Sequence, residues 1–163
     1  MSTPVEPAVT ALARRWRLEV NVGTTATPEW KLCPGVTEFQ PAAEPNIEDS
    51  SDYDSDGWAG NTKTGQSWEL SATINRKIND TAKTYHAVHE ALRLASFAYG
   101  SASLVHVRYM DRNGLPEAYE GHALVTWAPS GGEYTALDQV EVTLTGDGPL
   151  LPIANPLASG GGA

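Results

Sequence analysis

Residues 67–78 read Ser-Trp-Glu-Leu-Ser-Ala-Thr-Ile-Asn-Arg-Lys-Ile, and their alternation decides the fold class. Trp68, Leu70, Ala72, Ile74 and, past Arg76, Ile78 fall on one face of an extended chain. Glu69, Ser71, Thr73, Asn75 and Lys77 fall on the other. A period of two marks a strand with one face in a core and one in a polar medium. The pattern recurs upstream, where Trp16, Leu18, Val20 and Val22 alternate with Arg15, Arg17, Glu19 and Asn21. Downstream, Val105, Val107 and Tyr109 alternate with His106, Arg108 and Met110, and Asn113-Gly114 is a hairpin turn signal. Tyr119, Gly121, Ala123, Val125 and Trp127 form the next inward face, and residues 129–133 turn the chain. Val140, Val142 and Leu144 belong to a last strand. Trp30 and Leu32 open a further strand that breaks at Pro34-Gly35 and resumes through Val36 to Phe39, because proline removes a ladder donor.

One segment changes period. Asp80 or Thr81 is placed to cap a helix, and Tyr85, Val88, Leu92, Ala95 and Tyr99 recur at three and four until Gly100. Six or so strands with one helix predict a mainly β domain: an antiparallel β-sandwich or partly closed barrel with one flanking α-helix. The sequence divides into an N-terminal arm at 1–11, a single domain at 12–148 and a Gly/Pro-rich extended C-terminal arm at 149–163.

Residues 41–66 interrupt the domain. They show almost no hydrophobic periodicity and far exceed the length of an ordinary connection, about 4–6 residues. Glu38, Glu44, Glu48, Asp49, Asp52, Asp54 and Asp56 lie in a window without Lys or Arg between Lys31 and Lys63, yet Ile47, Tyr53 and Trp58 are embedded in it. A solvated tail has little use for such anchors, so the stretch reads as a loop that docks on another subunit. Asp52-Tyr53-Asp54-Ser55-Asp56-Gly57 matches the first half of an EF-hand loop, but the twelfth position, which must supply a bidentate Glu, is Lys63. The flanks are strand-like, which excludes an EF-hand and leaves a looser Ca²⁺ site or an acidic surface loop.

The search for chemistry is negative. Of the 163 residues only Cys33 is a cysteine; it precedes Pro34, no sequence feature marks a base for it, and it reads as a packed thiol. His86, His89 and Glu90 form H-x-x-H-E, neither helical zinc signature; His86 and Glu90 can pair on an exposed face. His106 and His122 can meet across the hairpin, but two imidazoles make a poor zinc site without a third ligand. No catalytic, cofactor or metal residues are assigned, and no enzymatic role is expected. The formal net charge of −9 disfavours nucleic-acid binding, which draws on a basic patch. No apolar run has the length of a membrane span, so no membrane partner is expected.

The order of elements, with Gly35-Val36-Thr37-Glu38-Phe39 after the Trp16 strand and Ser51 to Trp58 closing the long loop, resembles the major tail (tail tube) proteins of long-tailed bacteriophages, actinobacteriophage-like ones especially. The resemblance covers roughly residues 12–148. It implies a virion protein, assembled in the host cytoplasm, whose hexameric rings stack into a tube. Genome DNA passes through that tube without specific binding, and tape measure and tail terminator or baseplate proteins are its partners. Six copies of a −9 chain bring −54 to each ring, part of it facing the channel. On this reading Ile47, Tyr53 and Trp58 make inter-ring contacts. The lumen is lined by the two strand faces that are polar and free of cations: Glu69, Ser71, Thr73 and Asn75, and Gln139, Glu141, Thr143 and Thr145. Arg15 and Arg17, which would drag on phosphate, belong at subunit contacts or the outer wall. The alternative is a carbohydrate-binding β-sandwich using Trp30, Trp58 and Trp68, assisted by Ca²⁺ at Asp52, Asp54 and Asp56. A third reading is a small barrel enzyme using His106 and His122.

Overall fold

The computed structural model describes residues 8–158. In chain order the elements are β1 (Trp16–Asn21), β2 (Trp30–Leu32), β3 (Val36–Asp49), β4 (Asn61–Asn75), β5 (Ile78–Asn79), β6 (Thr84–Tyr85), α1 (Ala87–Phe97), β7 (Leu104–Asp111), β8 (Ala118–Pro129), β9 (Gln139–Gly146) and β10 (Leu151–Pro152). One antiparallel sheet runs β2-β1-β7-β8-β9-β4-β3, with β10 added against β8, while β5 and β6 pair separately.

The topology forces this sheet to roll. β2 and β3 are its two edges, yet only Cys33, Pro34 and Gly35 separate them in the chain. Seven flat strands would hold the edges roughly 29 Å apart at about 4.8 Å per strand. The link spans at most about 14 Å when fully extended. The edges therefore approach, and Trp16 of β1, Phe39 of β3 and Tyr109 of β7 meet across the gap with ring centroids 5.5–5.7 Å apart. Among the described residues β2 and β3 do not pair, so the roll is a partly closed barrel.

Inside it sit the alternating residues of the sequence pattern, with Leu18, Val20, Leu70, Ile74, Val107 and Leu144 almost wholly buried. Trp68 closes one end. Its indole donates to the Gly148 carbonyl at 3.2 Å, and its ring lies over Gly121 and Gly146. A Cβ on those glycines would stand 2.7 and 2.3 Å from the ring, so both positions serve as slots for it.

At the other end α1 packs against β8, and here the helix expectation needs correction. Residues 78–85 form the β5–β6 hairpin; the side chain of Asn79 accepts from the N–H groups of Thr81 and Ala82, and Lys83 has a φ of 57°. Asp80 and Thr81 therefore sit in a turn. The cap is His86, whose Nδ1 accepts from the Val88 N–H at 3.2 Å, so it does not pair with Glu90 as expected. Glu90 instead engages Arg93 and Arg76. Tyr85 and Tyr99 stand outside the helix, exposed, and the buried stripe is Val88, His89, Leu92 and Ala95.

His89 ties three segments together. The Lys77 N–H donates to its Nδ1 at 3.2 Å, and its Nε2 donates to the Pro34 carbonyl at 2.9 Å. The ring is thus neutral and Nε2-protonated. Burial, offset partly by the Pro34 hydrogen bond, keeps its pKa below the ordinary 6.5.

The C-terminal arm is also corrected over its described part. Residues 149–158 fold back on the domain: β10 pairs with Tyr119 and Glu120, and buried Asn155 donates to the carbonyls of Asp111 and Leu115. An amide satisfied by backbone groups holds the segment without apolar periodicity, which is why composition alone did not reveal it. Residues 159–163, like 1–7 of the N-terminal arm, lie outside the described residues.

Two predictions follow from the packing. Gly146→Ala should lower unfolding free energy by about 1–3 kcal/mol, the usual cost of overpacking, read as a fall in the urea midpoint. His89 has its pKa depressed on folding, so the unfolded chain binds the extra proton. Its contribution is complete above pH 6.5 and is lost as pH falls below that value. Chemical denaturation across that window should show stability rising with pH, and His89→Gln should flatten the slope.

Candidate assembly surfaces

Two surfaces of this roll have no role in holding the subunit together. The first comes from β3 and β4. They pair continuously from Val36↔Ile74 to Asp49↔Asn61, whereas β9 covers β4 only over Glu69–Asn75. Residues 43–49 and 61–67 therefore leave the sheet as a two-stranded ribbon, roughly 24 Å long at about 3.4 Å per residue, exposed throughout. The expected loop at 41–66 is thus corrected: only 50–60 are non-strand. Both faces of the ribbon stand outside the core, so no hydrophobic alternation betrays it, and Pro41 and Pro45 argue against a strand. They are tolerated because β3 is an edge.

The ribbon is shaped. A register shift leaves Thr64 unopposed between Asn46↔Gly65 and Ile47↔Lys63, and the Asn46 side chain donates to Thr64 Oγ1 at 2.7 Å. Such a bulge raises local twist. At the tip, Asp52 caps a 3₁₀ turn at Tyr53–Ser55, accepting from the Asp54 N–H and the Ser55 hydroxyl. Asp56 and Gly57 then reverse the chain with φ of 56° and 84°. The D-x-D-x-D-G residues are thus used in making a turn. Among the described residues no group of three or more His, Cys, Asp or Glu is placed to hold a metal ion. Ile47, Tyr53 and Trp58 are exposed by 55, 106 and 81%. A lone two-stranded ribbon is marginal in water, so apolar anchors on one are suited to a partner.

The second surface is the outer face of β4 and β9. The register sets Glu69 opposite Thr145, Ser71 opposite Thr143, Thr73 opposite Glu141 and Asn75 opposite Gln139. All eight residues expected in a lumen thus share one continuous face, with Gln139 donating to Asn75 Oδ1 at 2.8 Å. Glu38, Gln40, Ala42 and Glu44 extend it on β3, and Leu124, Thr126 and Ala128 on β8. It carries carboxylates, no Lys or Arg, and no ion pair among the described residues.

The rest of the outer face is the reverse, a surface of satisfied charges. Arg17 and Arg108 both reach Glu19, at 2.8 and 2.6 Å. His106 Nε2 is 2.6 Å from Glu120, and Nδ1 lies 3.2 Å from the Asn21 amide. The sheet does bring His106 and His122 together, as rings stacked at 4.4 Å, and His106 is held below the ordinary histidine pKa by burial and by His122. Arg15 pairs with Asp111 and Glu117. Cys33 is buried, and burial alone pushes its thiol up to about 12. The aromatics of the carbohydrate reading do not form a platform. Trp68 is in the core, Trp30 lies under the Arg108 guanidinium and edge-on to His106, and Trp58 stands apart on the ribbon.

No protein-family profile and no curated protein matches the chain. Solved structures do, and they define the class: the chain has the fold of tail tube subunits. It is similar to the tail protein of an empty gene transfer agent particle refined helically with C6 symmetry, at 13% identity and a TM-score of 0.66, covering 89% of this chain and 100% of that one. The SPP1 tail tube, solved by solid-state NMR and cryo-EM, is similar at 13% identity and 0.64, covering 90% and 80%. The sheath–tube complex of an extracellular contractile injection system, PVC, in its extended state gives 11% identity and 0.62, covering 90% and 93%.

The ribbon should be dispensable for folding. Replacing residues 45–66 with Asn-Gly joins Glu44 to Ser67, which already face each other. The product should fold, with a thermal midpoint close to that of the full chain.

Proposed function

We propose that this chain is the structural, non-enzymatic subunit of a phage-type tail tube, forming hexameric rings that stack around a channel for DNA. The observation that carries the reading is the division of charge on one sheet. Carboxylates without cations cover the β3–β4–β9–β8 half, while the charges of the β1–β7 half pair with one another. A wall that DNA must slide past needs the first kind of surface. Cations would bind phosphate. Glu69 and Glu141 lie in this lumen, with Ser71, Thr73, Asn75, Gln139, Thr143 and Thr145 as its neutral lining. Screening limits repulsion to about 8–10 Å at physiological salt, so the wall acts on DNA that approaches it closely.

The shared fold with a C6 helical tail supports the sixfold ring. Ile47, Tyr53 and Trp58 on the ribbon carry contacts between rings. A tape measure protein and tail terminator or baseplate proteins are its further partners. The particle is assembled in the host cytoplasm and the subunit resides in the virion tail.

Negative-stain electron microscopy of concentrated protein should show sixfold rings or tubes, and a strictly monomeric particle at every concentration would overturn the proposal. Glu69→Lys with Glu141→Lys should fold, since both positions are exposed. Particles built from it should eject DNA more slowly, with the delay shrinking as salt rises. Normal ejection at low salt would remove these glutamates from the channel.

A further inference from the structure

On the outer face of β1, β7 and β8, one amide dictates the protonation state of one imidazole. Asn21 ends β1, and its side chain uses every hydrogen-bonding position it has. Its Oδ1 accepts from the N–H groups of Gly23 and Glu29, both at 2.8 Å. Its Nδ2 donates to the Thr24 carbonyl at 3.0 Å and to His106 Nδ1 at 3.2 Å. An amide has two acceptor sites and two N–H groups, so none is left over. Turned over, it would set its NH₂ against two N–H donors and its oxygen against the Thr24 carbonyl. Three backbone groups of the β1–β2 loop therefore fix its orientation. His106 Nδ1 must accept, and the ring proton sits on Nε2, which donates to Glu120 at 2.6 Å.

The ring is held in place. His122 stacks on it at 4.4 Å with the planes 6° apart, and Trp30 meets it edge-on at 4.7 Å. The charged or titratable groups facing it are Arg108 of its own strand and Glu120 and His122 of β8. β1 and β2 present the neutral Asn21 and Trp30, and Glu19 of β1 is taken up by Arg17 and Arg108. The part of α1 that shares its groove is uncharged: Ala91, Leu94, Ala95 and Ala98. Burial, then the neighbouring His122, keeps its pKa below the ordinary 6.5 against the pull of Glu120.

We infer that His106 and Asn21 form a pH-operated latch on the β1–β2 loop, closed while the imidazole is neutral and released when Nδ1 takes a proton. The imidazolium carries a donor at Nδ1, where Asn21 also offers a donor. Charging strengthens the contact with Glu120 and so keeps the ring where it is. The amide gives way instead, and its bonds to Gly23, Thr24 and Glu29 go with it. Residues 22–29 then keep only the bonds they make among themselves, such as Val22 N–H to the Glu29 carbonyl. Gly23–Thr25 form one wall of the groove along α1, so release opens that groove. With the pKa depressed on folding, the latch is complete above pH 6.5 and is lost as pH falls below that value.

Hydrogen exchange read by mass spectrometry tests this on the full chain, with exposure times scaled for the chemical pH dependence of amide exchange. The peptide spanning 22–29 should exchange about tenfold faster at about pH 5 than at about pH 7.5, the scale of one lost hydrogen bond. His106→Asn supplies an acceptor oxygen in place of Nδ1 and cannot take the proton, so the acid response of 22–29 should vanish. Peptide 69–75 of β4 should respond alike in both proteins, because His89 is present in both. An equal acid response of 22–29 in the wild type and in His106→Asn would overturn the latch. Asn21→Asp gives a second measurement. Its second carboxylate oxygen accepts from the imidazolium, so 22–29 should exchange more slowly in acid than at neutral pH. Acceleration in acid, as in the wild type, would overturn the latch even if His106→Asn failed to fold.

Discussion

The whole architecture depends on one short piece of backbone, the three-residue link that joins the two edge strands of the sheet. β2 and β3 must lie within its reach, so the sheet cannot stay flat. Rolling it turns one face into a core and leaves the other as a continuous outer wall. The link itself is held by one side chain and one backbone group: His89 binds the Pro34 carbonyl, and the Asn75 backbone N–H donates to the Gly35 carbonyl at 2.7 Å. Gly35 adopts a φ of 80°, and an added Cβ would stand 2.4 Å from the Asn75 carbonyl. The helix, the link and the end of β4 are thus one junction.

The same roll explains why a protein of this size spends so much chain outside its core. The edge strand β3 continues past the last residue of β4 that β9 covers, and among the described residues no other strand pairs with it there. Exposed edges are a hazard for a monomer. Pro41, Pro45, the bulge at Thr64 and the acidic tip all blunt this one against indiscriminate pairing. Three large apolar side chains, Ile47, Tyr53 and Trp58, nevertheless remain exposed on it and its tip.

Charge is handled with similar economy. On the β1–β7 half, buried or half-buried ions are matched, as Glu19 is by two arginines, because an unpaired charge there would be costly. On the β4–β9 half the carboxylates face solvent, where they need no partner. The fold is shared with tail tubes at 13% identity.

The sequence by itself determined the strands that touch the core, since a buried face imposes a period of two that Trp68 to Ile74 and Val140 to Leu144 display openly. It also determined the polar face opposite them, because alternation names both faces at once. Only the tertiary structure decided which strands stand side by side, and so that Glu69 to Asn75 and Gln139 to Thr145 form one wall. It alone showed the ribbon: strands with no buried face carry no periodic signal, and their prolines point the wrong way. The helix start was misjudged for a related reason. Tyr85 and Tyr99 keep helical spacing with Val88 and Leu92, but the turn made by Asn79 and the Nδ1 of His86 set the boundary. Local hydrogen bonds of that kind are invisible to hydrophobic pattern, because they depend on where the backbone has already been led.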